Sequence, residues 1–76
     1  MNNRRRKVLN EASSALAAIN SVLITVQEEE QEYFDVMPEG FQQGDKGDAA
    51  QDAIDQIEQA LDQIQEVIDT LDAATH

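Results

Sequence analysis

With 76 residues, no cysteine and a single proline, the chain has room for one domain and one small core, with no disulfide or thiolate metal site to stabilise it. Charge is the outlier: five basic residues face sixteen acidic ones, a net of −11. Four of the cations are Arg4, Arg5, Arg6 and Lys7, so from Val8 onward Lys46 alone stands against all sixteen acids, a net of −15. Such a field repels nucleic acid and anionic membrane and attracts basic protein surfaces. No apolar run approaches the roughly 20 residues of a membrane span, and no signal-peptide pattern appears. The expectation is a soluble protein of the cytoplasm.

The first predicted helix runs from about Asn3 to about Asp35. Leu9, Ala12, Leu16, Ile19, Leu23, Val26 and Tyr33 follow alternating steps of three and four, with Glu30 as the polar intruder. That is a heptad seam with apolar a and d positions. Val8, Ala15 and Val22 widen the apolar stripe.

A linker over residues 36–47 follows, and it holds every strong helix breaker: Pro38, Gly40, Gly44 and Gly47. Met37 precedes a proline, so the helix should end at or before it. Phe41 is expected to fold over the end of the molecule, because leaving a Phe exposed forgoes roughly 2 kcal/mol of burial.

The second predicted helix covers about Asp48 to about Ala74. Three near-copies of one seven-residue unit begin at Ala53, Ala60 and Val67, and the seam reads Ala50, Ile54, Ile57, Leu61, Ile64, Ile68 and Leu71. Asp48, with Gln51 three residues later, has the form of a capping box.

Charge placement predicts an antiparallel return. Arg4 to Lys7 sit at the positive dipole end of helix one and Glu28 to Glu32 at its negative end, both unfavourable in an isolated helix. In a hairpin the arginines meet the C-terminus of helix two with Asp69 and Asp72, and the glutamates meet its N-terminus. The fold expected is all-α, one antiparallel two-helix hairpin over residues 1–76. An apolar stripe three positions wide exceeds what two helices need, so the hairpin is expected to dimerise into a four-helix bundle.

Catalytic chemistry finds no foothold. His76 is the sole histidine and ends the chain, and there is no zinc motif, phosphate loop or nucleophile elbow. Glu28, Glu29, Glu30 and Glu32 lack the converging loop of a calcium site. Gly44-Asp45-Lys46-Gly47 has Gly-x-x-Gly spacing but acidic surroundings, and reads as a turn. No enzyme, cofactor or metal is expected.

Two surfaces suit protein binding. On helix two, Asp48, Asp52, Asp55, Asp62, Glu66 and Asp69 form a ladder at helical spacing, broadened by Glu58 and Asp72. Its rungs lie roughly 5 Å apart along the axis, a spacing of the order of the phosphates in a nucleic-acid strand. No cation stands four residues away to pair with any of them, although like charges at this spacing cost a few tenths of a kcal/mol per pair. A solvated face is the plain reading; imitation of a nucleic acid, aimed at a protein with a basic surface, is the sharper one. The linker tip gathers Tyr33, Phe34, Met37 and Phe41, which read first as end-of-bundle core and second as binding anchors.

The stretch Glu28-Glu29-Glu30-Gln31-Glu32-Tyr33-Phe34-Asp35-Val36-Met37-Pro38-Glu39-Gly40-Phe41-Gln42 resembles short uncharacterised proteins of bacteriophages and prophages. In those, an acidic helix leads through Asn-Met-Pro-Glu-x-Leu-Gln into a second helix of heptads. Val36 stands here in place of that Asn and Phe41 in place of that Leu. The resemblance implies a helical hairpin of phage context in the cytoplasm of a bacterial host. Its expected role is to bind and block a host nucleic-acid-processing or defence enzyme; the alternative is a structural or accessory hairpin assembling with itself or a phage protein.

Overall fold

Asn2 starts the first helix: its Oδ1 accepts the Arg5 backbone N–H at 2.8 Å, satisfying one of the free donors of the first turn. In the computed structural model, which describes all of residues 1–76, this helix, α1, spans Asn3–Asp35. It ends as the proline dictates, with Val36 as C-cap and its N–H returned to the Glu32 carbonyl. A four-residue helix, α2 (Glu39–Gln42), occupies the linker, and the second long helix, α3, spans Asp45–Ala74. There are no strands. The molecule measures 58 × 15 × 12 Å. Helices of 33 and 30 residues are each about 45–50 Å long, so they fit this envelope only side by side. The short linker makes them antiparallel.

Contacts across the hairpin fix its register. Gln27 Nε2 donates to the Ile54 carbonyl at 3.2 Å, which sets these residues level. Stepping by heptads in opposite directions puts Asn20 level with Leu61, Ser13 with Ile68, and Phe34 with Gly47. At the tip, Gln42 Nε2 donates to the Phe34 carbonyl at 2.9 Å and ties the linker to α1.

α3 uses the predicted seam. Ala50 and Ile54 are buried, and Ile57, Leu61, Ile64, Ile68 and Leu71 are half-buried. α1 does not. Its inward row keeps Leu9, Leu16, Leu23 and Glu30 but alternates them with Ser13, Asn20, Gln27 and Phe34, rather than with Ala12, Ile19, Val26 and Tyr33. The helix is turned by about half the angle between adjacent residues. An observed contact gives the reason: the Gln27 bond to Ile54 requires this rotation, which also turns Phe34 inward to half-burial.

Other expectations are corrected at the tip. α3 begins at Asp45 with Gly44 as N-cap and no side-chain cap, so Asp48 lies inside the first turn and Gln51 bonds Asp55 instead. The segment Gly44 to Gly47 is thus the entry to a helix. Gly47 is buried, and a Cβ there would collide with the Gln42 backbone carbonyl; glycine is what lets linker and helix approach. Phe41 is 52% exposed, because α2 points it sideways beneath Lys46, whose Nζ lies 5.4 Å from the ring centroid.

Over its most apolar 18 residues α1 averages a hydropathy of 1.2, so by length and composition alone it suffices to cross a bilayer. Interleaving with Ser, Asn and Thr had masked this, because no uninterrupted apolar run exists.

Candidate interaction surfaces

Seam geometry sorts the remaining residues. The two arms of an antiparallel pair are related by a pseudo-twofold normal to the plane of the hairpin. Residues displaced equally from their seams therefore fall on the same side.

On the side one position after each seam residue, α3 presents Asp48, Asp55, Glu58, Asp62, Asp69 and Asp72. Asp52 and Glu66 follow on its outer edge, and all eight carboxylates are exposed. Three of the eight have partners, and those are neutral amides. Gln51 Nε2 donates to Asp55 at 3.1 Å, Gln65 Nε2 to Asp69 at 3.0 Å, and Gln27 Nε2 to Glu58 at 2.8 Å. Such bonds orient the carboxylates without cancelling their charge. The arginines do not reach them: the Arg6 guanidinium donates to Asn3 Oδ1 at 3.5 Å, so the expected meeting with Asp69 and Asp72 amounts to shared position at one end of the hairpin.

On the opposite side, one position before each seam residue, the surface is nearly free of charge. α1 contributes Val8, Ala12, Ala15, Ile19, Val22, Val26, Glu29 and Tyr33, and α3 contributes Lys46, Ala49, Ala53, Gln56, Ala60, Gln63, Val67 and Thr70. Glu29 and Lys46 are its only charged members here. Val22 is 62% exposed, Val8 54% and Ile19 48%. The steps 8, 12, 15, 19, 22, 26, 29, 33 alternate four and three, so α1 carries a second complete heptad row that no part of the chain covers. This row was readable in the sequence, but there it merges with the seam into one wide stripe.

The tip forms a shallow hollow of about 230 Å³ lined by Tyr33, Val36, Met37, Pro38, Phe41 and Lys46. Of the four tip residues expected together, Tyr33, Met37 and Phe41 share this hollow, while Phe34 turns into the seam.

Along the seam three buried polar atoms lack a partner: Arg6 Nε, Ser13 Oγ and Asn20 Oδ1. Sequence reasoning missed this row, although Ser13, Asn20 and Gln27 recur at intervals of seven. No three carboxylate or histidine side chains converge as a metal site would require, and His76 is exposed at the chain end. Compared with known proteins, the chain matches no family model, no curated protein and no solved structure.

Proposed function

We propose that this protein is a non-enzymatic helical hairpin that binds a basic protein surface through the acidic side of α3, in the manner of a nucleic-acid strand. The observation that carries this reading is the set of eight exposed carboxylates, three of them held by glutamine amides and none paired with a cation. From Asp48 to Asp72 they span about 36 Å of helix, one charge per roughly 4.5 Å. One nucleic-acid strand carries one per about 3.4 Å. The ladder thus approaches the line charge of a single strand and falls well short of a duplex. In a phage context, as the Met37-Pro38-Glu39 turn suggests, the target is a host nucleic-acid-processing or defence enzyme that the hairpin inhibits in the bacterial cytoplasm.

The test uses the heparin-binding fraction of a bacterial lysate over immobilised hairpin. A basic protein retained at low salt, released as salt rises and displaced by single-stranded DNA is the expected result. Asp55→Lys with Asp62→Lys should abolish retention while leaving helical circular dichroism unchanged. Retention indifferent to salt and to these substitutions would sink the reading.

The uncovered apolar row favours a second, compatible reading: a structural hairpin that self-associates, two copies forming a four-helix bundle with the ladders outward.

A further inference from the structure

Resting on the self-association reading, we infer that a second copy of this chain docks on the uncharged side of the hairpin in one orientation, with the two α1 helices antiparallel to each other across a twofold axis. Three observations support this.

The first is area. The hairpin exposes 5524 Å², roughly 900 Å² more than the surface–mass scaling gives for a compact chain of its size. A standard interface covers about 800 Å² on each partner. No side chain is fully buried in the single hairpin, so the missing core has a definite size.

The second is the segregation of charge. A chain of net −11 repels its own copy wherever carboxylates face each other. The side bearing Ile19, Val22 and Val26 is where two copies meet without that repulsion. Its α3 half, with Ala53 and Ala60, is also low enough for close approach. A lipid surface fits less well, since Val67 is the one large apolar group of that half, which otherwise offers alanine, glutamine, threonine and Lys46.

The third decides orientation. Two hairpins stacked on this side can align with tips together or with tips at opposite ends. Tips together would bring both sets of Glu28, Glu29, Glu30 and Glu32 to one end, alongside both copies of Asp45 and Asp48. Tips apart lays α1 on the partner's α1 in reverse, so Arg4 to Lys7 of each copy approach the other's glutamate cluster. Four cations then lie near four carboxylates at both ends, which resolves the helix-dipole conflict that the single hairpin leaves standing.

Light scattering and pulsed electron–electron resonance test this on the full chain. The protein has no cysteine, so Asp35→Cys carries one nitroxide per protomer at the exposed tip. The expected results are a mass twice 8.4 kDa and a tip-to-tip distance of about 45–55 Å, from the helix rise. Val22→Glu, at an exposed position, should retain its helical dichroism and give the monomer mass. A doubled mass with a distance under about 25 Å would overturn the orientation and leave self-association standing. A monomeric mass for the unaltered protein, with or without partition onto lipid vesicles, would overturn both. A Val22→Glu variant that stays dimeric would overturn the choice of face.

Discussion

α1 and α3 are both built on heptads, yet only α3 packs as its pattern dictates. Apart from Val67, its large apolar residues occupy one row, flanked mostly by alanine, glutamine and aspartate, so a single rotation buries them. α1 has two rows with a claim on the interface, and Leu9, Leu16 and Leu23 belong to both. A pattern whose leucines fit two rotations is decided by contacts elsewhere. Here Gln27 decides it, at the expense of turning Ser13 and Asn20 inward. The contrast teaches that width of an apolar stripe measures how many neighbours a helix has, whereas narrowness tells which way it faces.

Several substitutions would break or sharpen this contrast. The largest effect is expected at the tip. Gly47→Ala puts a methyl against the Gln42 backbone, and overpacking of this kind should cost about 3 kcal/mol, read as a fall in the urea midpoint. On the well-specified arm, Ile54→Ala empties a buried position and should cost about 2 kcal/mol, the low end for a core truncation because the core is thin.

On the ambiguous arm the sign reverses. Ser13→Ala removes a buried hydroxyl with no partner and should stabilise the hairpin by about 1 kcal/mol. For a domain of this size that raises the melting temperature by roughly 4–8 °C. Asn20→Leu should act in the same direction, level with Leu61. A loss of stability in either would mean that these polar groups find partners in solution. Smallest of all, Phe41→Ala should change the stability little, by about 0.5 kcal/mol or less, because half the ring already faces solvent. A larger drop would restore the tip hollow to the core.

Much of this architecture was legible in the sequence. Pro38 marked the end of α1, the repeat from Ala53 marked the face of α3, and the unpaired aspartates marked the exposed acidic side. The start of α3 was misplaced because Gly44 and Gly47 both read as breakers, whereas one caps the helix and the other relieves a close approach within its first turn. Phe41 was misread because its burial was inferred from hydrophobicity alone, and a four-residue helix sets its direction. The rotation of α1 was invisible for a different reason. It depends on Gln27 meeting a carbonyl 27 residues along the chain, which no local pattern encodes.

The heptad register carries one last consequence. Because Gln27 and Ile54 lie level and both arms repeat every seven residues, the hairpin has a natural unit of length. Seven residues inserted into α1 before Gln27, matched by seven into α3 after Ile54, would leave the tip and every row in phase. The molecule would grow by about 10 Å. An unmatched insertion would leave one arm overhanging, and one of about two or five residues would rotate its distal half out of the interface. Length in this protein is therefore quantised, and paired insertions are the changes it can absorb.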